Sequence, residues 1–365
     1  MFSRPRPATP SQQVRLLTPS HRSRLSQINL LGEFASSRQR LEFGSVSATQ
    51  TRYPAPVPLF ESQITRAART QSGIPAHLRE DNFSRWWDDR LARYRGTIED
   101  LTVEIADPLK LSANERHALA VRVRDTNMAV YRCRQPENVD RAAILALTSQ
   151  LGLGKPDSNL CAADDGLSEL EVNHSSTHQR YIPYSNRPMG WHTDGYYHTP
   201  ERTIRAMALH CVRPAMSDGT LQVIDHEIVF GLLHRCDPRY TAALSQSDTM
   251  TIPENEAAGP GVRASVSGPV FSHDGDVLHM RYSARKRNII WKSDPVVREA
   301  VSALEEILDS CAELVVTRRL LPGEGLVCNN VPHRRDGFTD SSQPGCARLI
   351  YRGRYTQALT AITSR

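Results

Sequence analysis

The chain has 365 residues, enough for one large folded body or two ordinary ones, and its 39% hydrophobic residues include no apolar run near the length of a membrane-spanning helix. Its formal charge of +5 is unevenly placed: residues 1–60 carry eight arginines and two glutamates, which leaves the other 305 residues at −1. A basic character confined to one end argues against a nucleic-acid-binding body, so neither nucleic acid nor membrane is an expected partner.

Residues 1–60 are rich in Arg, Ser, Pro and Gln and poor in acids, the composition of a flexible basic leader. The same composition suits a mitochondrial-type presequence, so the expected location is cytoplasmic, with the mitochondrial matrix as the alternative. A single folded domain is expected over 80–365, and Trp86, Trp87 and Tyr94 mark its edge. Ser112-Ala113-Asn114-Glu115 is a capping-box pattern that predicts a helix to about Arg124. A strand follows at 128–133, then a helix over about 139–151 stopped by Gly152. Residues 154–190 read as a long irregular stretch, expected to form an active-site wall, with His174 and His178 as wall or surface histidines. Beyond it, strands are expected at 204–212, 220–225, 262–271 and 277–282, with a helix at 227–236 between them. His226 and His234 lie eight apart, not the four that a zincin helix needs. Asp294-Pro295 caps an amphipathic helix carrying Val297, Val301, Leu304, Leu308 and Cys311, and strands at 313–320, 326–329 and 348–355 end the chain. Spacing alone gives a mixed α+β fold. Seven widely spaced cysteines without a C-x-x-C pair fit reduced thiols in a reducing compartment.

The chemistry concentrates in Gly190-Trp191-His192-Thr193-Asp194-Gly195. On an extended backbone residues i and i+2 share a face, so His192 and Asp194 present a nitrogen and an oxygen to one point. That donor pair suits a first-row divalent metal, and a second histidine from elsewhere would complete a face with three open positions. Three further features follow in order: Asp218-Gly219-Thr220 opening a strand, Asn329 and His333 after a turn and a short apolar run, and the pair Arg348 and Arg352.

This set resembles the taurine dioxygenase (TauD/TfdA-like) family of Fe(II)- and 2-oxoglutarate-dependent dioxygenases, over about residues 112–357. The resemblance implies a double-stranded β-helix (jelly roll) core with flanking helices. It implies His192, Asp194 and His333 as ligands of Fe(II), and Arg348, helped by the Thr220 hydroxyl, as the partner of the distal carboxylate of 2-oxoglutarate. O2 is then the co-substrate, and Arg352 meets a sulfonate or carboxylate of the substrate. Coordination counting agrees: three protein ligands leave three positions for a bidentate 2-oxoacid and O2. The distal carboxylate then needs a fixed cation, and a bidentate Arg supplies one. Related halogenases replace the carboxylate ligand by a small residue; Asp194 implies hydroxylation instead.

The expected function is hydroxylation of a small aliphatic anionic molecule, with bond cleavage where the hydroxylated carbon carries a heteroatom. A weaker likeness to the butyrobetaine and trimethyllysine hydroxylases rests on His192-Thr193-Asp194-Gly195-Tyr196-Tyr197 and Leu209-His210-Cys211. It implies a trimethylammonium substrate held by Tyr196 and Tyr197 through cation–π contact. Arg352 departs from that pattern, and so does the lack of a cysteine-rich N-terminal zinc module. Two other rivals are a catalytically silent scaffold and a cupin-like zinc or manganese site that has no use for a 2-oxoglutarate cation. A homo-oligomer is left open.

Overall fold

Helix ends fall where side chains satisfy them in the computed structural model, which describes residues 80–158, 162–172, 181–254, 263–285, 287–343 and 345–359. The expected leader at 1–60 lies outside the described residues, as do His174 and His178. Helix α1 (Glu80–Ile98) buries Phe83, Trp87, Arg90 and Tyr94, spaced four, three and four apart on one face. Helix α2 (Ala113–Thr126) starts at Ser112 with both capping-box bonds made, and stops at Asn127, whose φ of 56° is left-handed. Helix α3 (Arg141–Gln150) opens two residues later than expected, because the Asp140 carboxylate caps the Ala143 N–H. Helices α4 (His226–Cys236), α5 (Pro238–Leu244) and α6 (Pro295–Ser310) are capped by Asp225, Asp237 and Asp294. No described helix is long and apolar enough to cross a membrane.

Ten strands form the two larger sheets. In chain order they are β1 (Thr102–Ile105), β2 (Met128–Cys133), β3 (Ser168–Leu170), β4 (Met189–His192), β5 (Ala206–Arg213), β6 (Leu221–Val223), β7 (Val316–Arg318), β8 (Glu324–Cys328), β9 (His333–Arg335) and β10 (Leu349–Tyr355). The first sheet runs β1-β2-β8-β5-β10-β3, antiparallel except for the β1–β2 pair. The second runs β7-β6-β9-β4, antiparallel throughout. Period-two alternation sorts the first sheet into two faces. Ala129, Tyr131, Ala206, Ala208 and Tyr355 join Leu119, Val123, Ile144 and Leu147 of α2 and α3 in one core. The opposite residues of the same strands, Met207, Leu209, Ile350 and Arg352, line a cavity. Met189, Leu221, His333 and Arg335 of the second sheet line it too, so the cavity lies between the sheets. The fold is an α+β jelly roll, a double-stranded β-helix with flanking helices.

Several strands are shorter than the sequence suggests, each for a local reason. The strand expected at 220–225 ends at Val223, because Asp225 leaves it to cap α4. A 3-10 turn at Ala312–Leu314 takes the start of the one expected at 313–320. The run at 262–271 divides into Val266–Gly268 and Phe271–Asp274, and the second piece forms a hairpin with Val277–Met280. Conversely, the stretch expected to be irregular contains β3, the edge strand beside β10.

Candidate active site

His192 closes β4 and His333 opens β9, and the two residues are directly paired across these strands. Their ring centroids lie 4.2 Å apart. Asp194 follows β4 in the turn that begins at that point. Donor atoms of His192, Asp194 and His333 all lie within 4.8 Å of one another, and among the described residues no other three His, Cys, Asp or Glu side chains cluster in this way. His226 and His234, by contrast, bond the Leu278 carbonyl and the Thr241 hydroxyl.

The protein fixes how this triad presents its lone pairs. Nδ1 of His192 lies 2.9 Å from the Gly190 carbonyl, and Nδ1 of His333 lies 3.0 Å from the Val331 carbonyl. A carbonyl only accepts, so each Nδ1 carries the proton and each Nε2 keeps a free lone pair. Burial, with each other's proximity for His192, pushes both imidazoles down, His192 to about 3, so both are neutral near pH 7. Burial alone would raise the Asp194 carboxyl, but Arg352, with help from His333 and Arg354, holds it well below the usual range. Asp194 Oδ1 accepts from Arg352 Nη1 at 3.3 Å, while its buried Oδ2 has no partner in the protein. Two neutral imidazoles and an ionised carboxylate with one unused oxygen are the donor set of a divalent metal site.

A side chain that sequence reasoning missed aligns the triad. Asn330, in a left-handed conformation (φ 49°), accepts from the Asp194 N–H at 2.8 Å and donates to the Asp194 and Ile204 carbonyls at 2.9 and 2.7 Å. Thr193 is pinned from the other side, its hydroxyl accepting from the Tyr282 N–H at 3.0 Å. Asn330 stands three residues before His333, so its short spacing from a ligand is the one sequence signal for it.

His333 and Arg352 also line the cavity between the sheets, and Arg348 lies further along the same wall. Ile350 and Arg352 share a face because β10 alternates, and Arg348, just before the strand, lines the same cavity. The Arg348 guanidinium sits 5.0 Å from the Phe338 ring centroid, and burial lowers its pKa. Thr220 is half-buried between Gly219 and Leu221; those two line the cavity and Thr220 does not. Tyr196 and Tyr197 are also half-buried and outside its wall. The Tyr197 hydroxyl accepts from Arg354 Nη1 at 2.9 Å, and the Arg263 guanidinium lies over its ring, 5.9 Å from the centroid. Arg335, two residues after His333, lines the cavity as well; burial and the nearby Arg348 push its pKa down to about 10. His333 and Arg335 stand two apart on β9, where alternation puts both on the cavity face.

Comparison with known proteins gives the family and neighbours of the same fold. Residues 90–353 match the model of the family described as taurine catabolism dioxygenase TauD, TfdA family. No curated protein matches the sequence. Among solved structures, asparagine oxygenase in complex with Fe(II), 3-hydroxyasparagine and succinate is 19% identical, with a TM-score of 0.52 over 74% of this chain and 91% of that one. The non-heme iron oxygenase OrfP, in complex with Fe, succinate and (3S)-hydroxy-L-Arg, is 16% identical, with a TM-score of 0.51 over 76% and 92%. AAD-2 in complex with Mn(II) and N-oxalylglycine is 15% identical, with a TM-score of 0.52 over 71% and 96%.

Proposed function

The chain belongs to the TauD, TfdA family and is an Fe(II)- and 2-oxoglutarate-dependent dioxygenase, and from that premise we propose that it hydroxylates a small aliphatic substrate bearing a carboxylate or sulfonate. The observation that carries the substrate reading is Arg352, buried and 3.3 Å from the Asp194 carboxylate, with its Nε unpartnered. A fixed cation beside the metal ligands suits the anionic end of a molecule whose neighbouring C–H is to be attacked. Two of the solved structures hold hydroxylated asparagine and hydroxylated arginine beside succinate, and each of these molecules carries an α-carboxylate.

In this reading Nε2 of His192 and of His333 and the Asp194 carboxylate hold Fe(II). When bound, the iron with 2-oxoglutarate and O2 supplies the oxidising chemistry, in which 2-oxoglutarate leaves as succinate and CO2 and the substrate gains a hydroxyl. The residues themselves orient and exclude. Arg348 grips the distal carboxylate of 2-oxoglutarate. Met207, Leu209 and Ile350 line the same wall and keep water from it. Where the hydroxylated carbon carries S, O or N, the product collapses with bond cleavage.

The trimethylammonium alternative is less well supported. The Tyr197 ring already carries the Arg263 guanidinium and its hydroxyl is held by Arg354, so a second cation there would meet like charges. The test is an anaerobic titration of the apoprotein with Fe(II) and then 2-oxoglutarate, followed by visible absorption. A weak charge-transfer band on adding the 2-oxoacid is expected, and its absence with stoichiometric iron bound would reject the assigned site. Succinate release is then compared across α-amino acids, aliphatic carboxylates, sulfonates and quaternary ammonium compounds. Stimulation by the last group alone would overturn the anionic-substrate reading.

A further inference from the structure

The cavity wall holds an arginine that the reading above leaves without a role. Arg335 ends β9 two residues after His333, and both side chains line the interior. Its guanidinium lies 4.6 Å from the Phe338 ring centroid, and that of Arg348 lies 5.0 Å from the same centroid. Nη2 of Arg335 donates to the Ser185 and Arg187 carbonyls at 3.0 and 2.7 Å, which fixes the plane of the group. Nη1 is buried and has no partner, on a residue only 7% exposed. No described carboxylate forms an ion pair with either guanidinium. Asp340 Oδ1 is taken by the backbone N–H groups of Arg348 and Ser341, and its buried Oδ2, though unpartnered and near enough to favour the charged Arg348, forms no ion pair with either arginine. Asp218, the one carboxylate on the cavity wall, is exposed and accepts from Ser217.

Two guanidiniums over one ring, in a cavity and without a paired acid, repel each other, and an unused buried N–H adds a desolvation cost. A carboxylate removes both penalties at once. It takes one guanidinium through two parallel hydrogen bonds and still has lone pairs for an N–H from a second. We propose that Arg335 is a second cation for the distal carboxylate of 2-oxoglutarate, so that Arg335 and Arg348 together form a two-arginine subsite between the sheets. This rests on the assignment of Arg348 to that carboxylate. Its consequence is selectivity: the pair favours 2-oxoacids that end in a carboxylate over those that end in a methyl group.

The test uses the full chain loaded with Mn(II), without O2, and calorimetric titration with two probes. One is 2-oxoglutarate; the other is 2-oxobutyrate, which keeps the C1 carboxylate and keto oxygen and lacks the distal charge. For Arg335→Met the expected result is 2-oxoglutarate affinity weakened by about tenfold or more and 2-oxobutyrate affinity held within about twofold. Unchanged 2-oxoglutarate affinity would overturn the proposal. So would equal weakening of both probes, which would make Arg335 an anchor for the 185–187 segment and nothing more. Arg348→Met keeps the two assignments apart. If it leaves 2-oxoglutarate binding intact, the Arg348 assignment itself fails; if it abolishes binding while Arg335→Met does not, only the Arg335 proposal fails. Should Arg335→Met not fold, Arg335→Gln retains an N–H donor for the Ser185 and Arg187 carbonyls and is read by the same two-probe comparison.

Discussion

A histidine serves a metal only when the correct nitrogen faces it, and here two main-chain carbonyls make that choice before any ion arrives. Gly190 and Val331 each hold an Nδ1 proton, at 2.9 and 3.0 Å, so both Nε2 atoms are committed to the interior. Replacing His192, Asp194 or His333 by Ala is expected to abolish iron-dependent turnover and stoichiometric Mn(II) binding while the far-ultraviolet dichroism stays native. Full turnover in any one of the three would remove that residue from the site. Asn330 acts one step further back, through three hydrogen bonds that hold the Asp194 backbone and Ile204. Asn330→Ala loses them and places a Cβ residue of lower αL tolerance at φ 49°, so stability should fall by about 2–4 kcal/mol. Mn(II) affinity should fall by about tenfold, as for other residues that orient ligands. A urea midpoint and an affinity equal to the parent's would show that Asp194 is held without it. The difference in legibility is physical. The spacing of His192 and Asp194 was legible as a donor pair, while His333, Arg348 and Arg352 were legible only through the resemblance of their motifs to the family; in the structure Asp194 reaches the site from the turn after β4. Asn330 was not legible, because it works across 136 residues of chain on backbone atoms.

Elements show the same contrast between signals that lie within a segment and those that need a partner. Helices α2 and α6 were legible from the Ser112–Glu115 and Asp294-Pro295 caps, while α1 and α5 were not foreseen. Helix α5 begins with Asp237-Pro238, the same cap signal as α6, but its seven residues are too few to show a period. Helix α1 has the period but hides it, because Arg90 interrupts the apolar face. Arg90 is buried, ion-paired with Asp225 and, at 2.7 Å, with Glu227, so a charge on the buried stripe is satisfied by the start of α4. The same two helices meet at Gly231, where an added Cβ would collide with the Trp87 ring. Gly231→Ala therefore gains helix propensity but overpacks the contact, and the net expectation is a loss of about 1–3 kcal/mol. Gly231→Ala combined with Trp87→Leu, which makes room, should recover part of the loss made by the pair separately. Urea denaturation of the four proteins reads this coupling directly, and strict additivity would mean that α1 does not pack on α4 as closely as the structure shows.

At the scale of the whole molecule, the jelly roll divides its interior into an apolar core outside the first sheet and a charged cavity between the sheets, and histidines are buried in both settings. Their burial makes acid sensitivity a property of the fold. His279 is pushed down to about 3, first by burial and then by His226, Arg205 and Arg281, and His210, buried beside the Tyr131 hydroxyl, is pushed down to about 4 by burial. The unfolded chain takes up a proton on each near pH 6.5, while the native protein does not until its own lower value is reached. Both groups thus contribute stability that is present above pH 6.5 and is lost as pH falls toward 4. In that window each histidine adds a slope of about 1.4 kcal/mol per pH unit to the unfolding free energy. Chemical denaturation of the metal-free protein at pH 7, 6 and 5 measures the total slope, to which His192, His333 and the carboxylates also contribute. Comparison with His279→Gln isolates one member: the variant is expected to show a shallower slope by one proton's worth between pH 6 and 5, whatever its stability at pH 7. An identical slope in the two proteins would mean that His279 is protonated in the native state, and that its position on the hairpin at Val277–Met280 is open to water rather than sealed against α4.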